Sequence, residues 1–375
     1  MAGIYIHIPF CKQACHYCNF HFSTSLKYKD ELLAALVKEI GLRADYIQTP
    51  VLNSIYFGGG TPSLLSEKDI NFIFEELAKH YSWKKSTEIT MEANPDDLSL
   101  SYLEMLSKAP INRLSIGVQS FFNEDLLFMN RAHNASESQK CIADAQNVGI
   151  DNLSIDLIYG TPTTSNMQWE DNVQKVIDFN VSHVSAYCLT VEEKTALHHF
   201  VKTGKVKPVD EEKAAFQYNQ LIEMLENDDF EHYEISNFAK NGKYAIHNSS
   251  YWKGDVYLGF GPGAHSFDGA STRSWNIANN ANYIKSISSG YLPLEKEVLT
   301  NSELYNEYIL IGMRTVWGVD IKLIRERFPE FENHFLRLIE AFCINGFVSS
   351  ADGKYVVTQS GKLIADRIAS ELFVV

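Results

Sequence analysis

The sequence predicts an α/β fold, in which six strand–helix units build a parallel sheet and a smaller helix-rich α+β unit ends the chain. Three observations predict it. Short β-branched and aromatic runs alternate with helical periodicity over the first 200 residues. Polar residues follow the ends of successive strands, where parallel sheets carry their chemistry. Beyond about residue 200 that alternation stops and a different rhythm takes over.

The strand runs are Ile4–Ile8, Ser54–Phe57, Glu88–Glu92, Arg113–Val118, Asn152–Ile158 and His183–Cys188. The intervening stretches place apolar residues on one helical face. Leu33, Leu36, Val37 and Ile40 make one such face, and Ile70, Ile73, Phe74 and Leu77 another. Ser136 with Gln139 reads as a capping box, and Gly149 sits where that helix should stop. Strands alternating with helices imply βα units and right-handed crossovers. Gly58-Gly59-Gly60-Thr61-Pro62 follows the second strand, and Glu92-Ala93-Asn94-Pro95 ends the third. Gln119 follows the fourth strand, and Asp156 lies in the fifth. Singly, each reads as a satisfied turn residue; together, at one end of the sheet, they read as a shared polar site.

A helix from about Asp210 to Asn227 leads into a Gly-, Asn- and aromatic-rich stretch, roughly 230–290, with little periodicity. Helical patterns resume near 302–315, 320–328 and 331–345. A hairpin from Val348 to Val357 then turns at Asp352-Gly353, and a last helix starts near Ser360. Helix–helix–hairpin–helix resembles a winged helix. The division expected is 1–200, 201–290 and 291–375.

The chain has 375 residues and a net charge of −14. An acidic surplus works against nucleic acid as a partner, and in this chain the winged-helix shape reads as a packing or docking unit. No apolar run approaches the length of a membrane span and no secretory leader is recognisable, which predicts a cytoplasmic protein. Of the six cysteines, Cys141, Cys188 and Cys343 are scattered in apolar stretches and read as core filling.

The other three form Cys11-Lys-Gln-Ala-Cys15-His-Tyr-Cys18, on the loop leaving the first strand. Soft thiolates at such spacing can converge on one centre. Three are one short of a closed four-cysteine iron–sulfur cluster, so one iron stays open to an outside ligand. The alternative is a structural zinc site of three cysteines and His16, although zinc loops usually pair two C-x2-C units.

C-x3-C-x2-C with an aromatic before the last cysteine, followed by Gly58–Pro62, resembles the radical S-adenosylmethionine (SAM) superfamily. Tyr5-Ile-His-Ile-Pro-Phe-Cys11, Glu92–Pro95, Gly117-Val-Gln-Ser-Phe121, Asn130-Arg131 and Asp156-Leu-Ile-Tyr-Gly160 resemble the oxygen-independent coproporphyrinogen III oxidase family over nearly the whole chain. That resemblance implies an open (β/α)6 partial TIM barrel and a [4Fe–4S] cluster on Cys11, Cys15 and Cys18. It implies that Tyr5, Gly59, Glu92 and the backbone of His265 contact a cluster-bound SAM. It sets Tyr17, Gly60, Thr61, Gln119, Arg131 and Asp156 near a second SAM, with Thr190 as a weaker match.

Two departures separate this chain from the oxidase. Phe20 stands where the oxidase has a further cysteine, and only four residues precede Tyr5. Both features resemble the HemW subgroup, as does His247-Asn-Ser-Ser-Tyr251-Trp252, an H-N-x-x-Y-W motif; Arg273-Ser-Trp-Asn276 also resembles a subgroup motif. The subgroup implies a haem chaperone, with His247 as a haem contact, since imidazole is a common axial ligand. It implies haem-accepting partners, with respiratory-chain components and a transient membrane-protein contact among the candidates. The rival function is radical decarboxylation of coproporphyrinogen III.

Overall fold

Along the first strand Ile4, Ile6 and Ile8 alternate with Tyr5 and His7, and all five are largely buried. A parallel strand covered on both faces can bury both sets, but here one set is polar, so the sheet must wrap around a polar lumen. A computed structural model describes residues 2–49 and 51–374. In chain order the barrel part runs β1 (Ala2–Ile8), α1 (Lys29–Leu42), β2 (Val51–Gly59), α2 (Glu67–His80), β3 (Ser82–Ala93), α3 (Leu100–Leu106) and β4 (Arg113–Gln119). It continues with α4 (Asn123–Phe128), α5 (Ala135–Asn147), β5 (Leu153–Tyr159), α6 (Asn166–Asp178), β6 (His183–Cys188) and α7 (Ala196–Lys202).

Six further strands and three helices follow before residue 300. They are α8 (Glu211–Asn227), β7 (Glu231–Glu234), β8 (Asn237–Ala239), α9 (Ile246–Trp252), β9 (Val256–Phe260), β10 (His265–Phe267), β11 (Thr272–Asn276), α10 (Asn280–Ser288) and β12 (Leu294–Val298). All twelve strands belong to one open sheet, ordered β12-β11-β10-β9-β1-β2-β3-β4-β5-β6-β8-β7. From β9 to β6 neighbouring strands run parallel, and the strands outside them are antiparallel. The stretch 230–290 is therefore not irregular. Its strands are three to five residues long, too short to display a period in sequence.

The register aligns the lumen residues in layers. Tyr5 lies beside Tyr56 and Thr90, Glu92 beside Ser115 and Ser154, and Asp156 beside Ser185. The outward set, Ile55, Phe57, Met91, Leu114, Ile116 and Ile155, packs with Leu36, Ile40, Ile73 and Leu77 of the helices. The six expected strands all form, most of them extended by a few residues at their ends; β3 gains most, starting at Ser82 behind a register shift. One cap differs from expectation. The helix before Gly149 starts at Ala135, with Asn134 and Glu137 forming the capping box in place of Ser136 and Gln139. Asn134 Oδ1 accepts from two backbone amides, and the Glu137 carboxylate accepts from its amide.

The chain ends with α11 (Asn301–Arg314), β13 (Val319–Asp320), α12 (Ile321–Arg327), α13 (Glu332–Ile344), β14 (Val348–Ala351), β15 (Lys354–Val357) and α14 (Ala365–Glu371). These elements form a winged-helix-like unit around its own core, which includes Tyr305, Ile309, Phe335 and Ile368. Val316 N donates to Tyr233 O at 3.1 Å, and an Arg273–Glu307 ion pair at 2.6 Å adds a second tie to the sheet. Among the described residues no helix is long and apolar enough to cross a membrane.

Candidate functional site

The cysteine loop leaves the carboxyl end of β1 and is stapled at its base. Cys11 N donates to Ser23 O at 3.0 Å, Ser23 N to Pro9 O at 2.8 Å, and Thr61 N to Phe10 O at 2.7 Å. The loop and the glycine motif are thus held on one short piece of backbone. Cys11, Cys15 and Cys18 are free thiols at intermediate exposure, whereas Cys141 is buried in the core. Lys12 pairs with Asp96 at 2.8 Å and also with Asp97. Gln13 Nε2 donates to Asn130 Oδ1, and Asn130 Nδ2 donates to Ala14 O, both at 2.7 Å. Asn130 takes φ +56°, a conformation asparagine tolerates better than most residues.

His16 is turned away from the thiols. Its Nδ1 is bonded to Phe128 O at 2.9 Å, and its ring meets Phe200 edge-on at 5.1 Å. Among the described residues no three His, Cys, Asp or Glu side chains gather as a single metal ion requires. A cubane differs, because its thiolates sit on separate irons and need no common point.

The glycine motif packs closely against side chains of the lumen. A Cβ at Gly58 would lie 2.8 Å from the Tyr56 ring, 3.0 Å from Glu92 Oε1 and 3.0 Å from the Tyr5 ring. At Gly59, φ is +104° and a Cβ would fall 2.4 Å from the His7 ring. Glycine is thus demanded at both positions by the packing of Tyr5, His7, Tyr56 and Glu92 where β1, β2 and β3 end. Gly59 N donates to Glu92 Oε2 at 3.1 Å, and Tyr56 OH donates to Glu92 Oε1 at 2.8 Å. Burial pushes Glu92 up to about 7 and Asp156 up to about 6. Asp156 accepts from Ser115 at 3.2 Å and Ser154 at 3.3 Å.

Arg131 links the rim to the loop. Its Nη2 donates to Asn94 Oδ1 at 2.6 Å and Gly117 O at 2.8 Å, and its Nη1 donates to Cys15 Sγ at 3.3 Å and Tyr17 OH at 3.5 Å. Gln119 sits at φ +65° where the β4–β5 register shifts. A Cβ on Gly117 would meet its amide at 2.9 Å. Thr61 is buried and accepts from Asn94 Nδ2 at 3.2 Å. The structure thus gathers Tyr17, Arg131 and Cys15 on one side of the rim, and Tyr5, Gly59 and Glu92 on the other. The His265 ring is exposed and stacked on Trp275 at 5.6 Å, while its backbone carbonyl lies against Gly259, the register partner of Tyr5.

His247 lies in helix α9, away from the cysteines. Glu88 accepts from Ile246 N at 3.0 Å and His247 N at 2.9 Å, satisfying the helix start from inside the lumen. The imidazole is 1% exposed. Its Nδ1 is bonded to Ser54 Oγ and its Nε2 to Tyr251 OH, each at 2.8 Å. Burial pushes it down to about 3, so it is neutral. Neither nitrogen is bare in this conformation; the outer groups of the motif are Tyr251 and Trp252, both partly exposed.

Sequence reasoning passed over Ser54, Tyr56, Glu88 and the loop contacts of Asn130. A usable signal existed: Ser54, Tyr56, Glu88, Thr90 and Glu92 alternate with apolar residues in strands that lie inside a parallel sheet, where both faces are normally apolar.

Residues 5–176 match the radical SAM superfamily, and residues 299–364 match the HemN C-terminal domain. The chain is 32% identical to heme chaperone HemW of Bacillus subtilis over 98% of each chain. It is also 32% identical to heme chaperone HemW of Mycobacterium tuberculosis, over 99% of this chain and 94% of the relative. Among solved structures, coproporphyrinogen III oxidase (HemN) from Escherichia coli superposes with a TM-score of 0.84 at 22% identity, covering 100% of this chain and 90% of that one. At that identity the likeness speaks for the fold alone.

Proposed function

The chain belongs to the HemW family of radical SAM proteins, and from that premise we propose that it is a haem chaperone, which binds haem and hands it to acceptor proteins. The observation that carries the reading is likeness along nearly the whole chain to proteins named heme chaperone HemW. In this reading residues 1–200 carry the cluster and SAM, 201–290 carry the H-N-x-x-Y-W motif, and 291–375 serve as a docking unit.

Cys11, Cys15 and Cys18 hold a [4Fe–4S] cluster with one iron open to SAM. Three soft thiols on one part-exposed loop, with no fourth nearby, suit that donor set. Such a cluster, when bound and reduced, supplies one-electron chemistry to SAM. Tyr5, Gly59, Glu92 and the His265 backbone receive the first SAM at the carboxyl ends of β1, β2 and β3. Tyr17, Gly60, Thr61, Gln119, Arg131 and Asp156 line a second SAM site. Arg131 suits a carboxylate there, through the nitrogen it now lends to Cys15 and Tyr17. Haem docks against the α9 motif, and ligation by His247 requires Tyr251 to leave Nε2. The acceptors are haem-requiring proteins, respiratory-chain components among them.

The test uses anaerobically reconstituted protein. Incubated with haem, it should retain haem through gel filtration with a Soret band shifted from free haem, and pass it to a haem-free respiratory cytochrome. Given coproporphyrinogen III, SAM and a reductant, it should release no protoporphyrinogen. Failure to retain haem together with cluster-dependent turnover of the porphyrinogen would replace the chaperone with the oxidase.

A further inference from the structure

The imidazole of His247 is built into the back wall of the pocket just described. Its ring stacks on Tyr56 with centroids 5.0 Å apart and planes 24° apart, and on Tyr5 at 6.3 Å and 27°. These two tyrosines also stack on each other at 6.1 Å. Tyr56 then donates to Glu92, the carboxylate that accepts from Gly59 N at 3.1 Å. The outer edge of the imidazole meets Tyr251, perpendicular at 5.1 Å and bonded through the phenol. An unbroken set of contacts therefore runs from the glycine motif to the surface of α9. Gly3 leaves the space for the ring, since a Cβ there would lie 2.8 Å from Ser54 Oγ and 3.2 Å from His247 Nδ1.

We infer that His247 is a positioning residue of the SAM pocket, holding Tyr56 and through it Glu92, and that a ligand engaging Tyr251 and Trp252 on α9 is thereby coupled to SAM binding. The ligand class, a porphyrin, rests on the function proposed above; the positioning role does not. A neutral imidazole has one donor and one acceptor nitrogen, and here both are used to fix the plane of the ring. A ligand that draws away the Tyr251 hydroxyl, or takes Nε2 for itself, frees the outer edge of that ring. The Tyr56 ring lying on it then loses its fixed support, and the Glu92 carboxylate one of its two donors. Coupling free energies are reciprocal, so SAM must change porphyrin affinity by the same factor.

The experiment measures SAM affinity by equilibrium dialysis on cluster-loaded protein, without haem. His247→Ala should bind SAM about tenfold more weakly and Tyr251→Phe about threefold more weakly, with iron content unchanged. In a Tyr56→Phe background, His247→Ala should add less than about a twofold loss, because the path to Glu92 is already cut. A merely structural histidine would give an additive loss there. If His247→Ala fails to fold, Tyr251→Phe decides alone, since it removes only the hydroxyl bonded to His247 Nε2. SAM affinity unaltered in the folded variants overturns the positioning role, whatever haem does. With wild-type protein, saturating haem should change SAM affinity at least about fivefold. Haem bound without any such change overturns the coupling, whereas no haem bound at all overturns the chaperone reading and leaves the dialysis result standing.

Discussion

Asn130 offers a direct measure of how the cysteine loop is held. It grips the loop twice, through Gln13 Nε2 and Ala14 O at 2.7 Å each, while its own backbone sits at φ +56°. Two substitutions separate these contributions. Asn130→Gly removes both hydrogen bonds but suits the backbone, at a cost of about 1–3 kcal/mol for two half-exposed bonds. Asn130→Ala removes the same bonds and adds about 1–2 kcal/mol for a Cβ in the left-handed region. The loss falls on the loop and spares the barrel core. Every 1.4 kcal/mol or so opens the loop about tenfold more often. Cluster loss to an iron chelator, followed by absorbance under anaerobic conditions, should therefore quicken by roughly tenfold for glycine, and by a further fivefold or more for alanine. Loss from the glycine variant at the wild-type rate would show that the clasp does not hold the loop. Equal rates for the two variants would remove the backbone argument.

Replacing any of Cys11, Cys15 or Cys18 with alanine should abolish iron binding on reconstitution, whereas Cys141→Ala, in the core, should leave iron content unchanged by colorimetric assay. Glu39 is fully buried and accepts from Arg43, Gly261 N, Asn276 and Tyr283. Glu39→Ala leaves the Arg43 charge unpaired and should cost about 3–5 kcal/mol in urea unfolding; a loss under about 1 kcal/mol would refute the hub. Stability should also fall with acid. Burial holds His247 and His232 near 3 and pushes His183 well down, so the unfolded chain takes up protons first as pH drops below 6.5 towards 3. Glu92 and Asp156, raised by burial, act in the opposite sense, losing stability as pH rises through about 6 to 7. The histidines have the larger shifts, so the unfolding midpoint should drop steadily from pH 6.5 to pH 4; a flat profile over that window would contradict their neutral burial.

What was legible in the sequence was what lies close along the chain. Cys11, Cys15 and Cys18 are bound to one another by spacing, and Gly58–Pro62 announces itself by composition. The barrel strands of β-branched residues could be located because six or seven positions display a period. The strands between 231 and 298 could not, because β8 and β10 have three residues each. Glu88 could not be read as the partner of α9, because the amides it caps lie about 160 residues away. The surroundings of His247 were hidden for the same reason. A motif gives the residue type, but the tyrosines that enclose this ring come from β1 and β2. Arg273-Ser-Trp-Asn276, which carried no role in sequence, supplies structural ties: Arg273 to Glu307, Trp275 to His265 and Asn276 to Glu39.

The place of β1 in the sheet has a consequence for biosynthesis. Gly3 pairs on one side with Ser54 and on the other with Tyr257. A chain emerging from the ribosome can zip β1 to β2 early, but the other edge of β1 waits for some two hundred more residues. Over that interval an unpaired edge of apolar strand is open to other chains. Glu39 waits as well, since Gly261, Asn276 and Tyr283 arrive later still. A buried carboxylate lacking three of its donors keeps the half-made barrel from settling prematurely. A nascent chain shorter than about 280 residues is therefore expected to collect no protected iron.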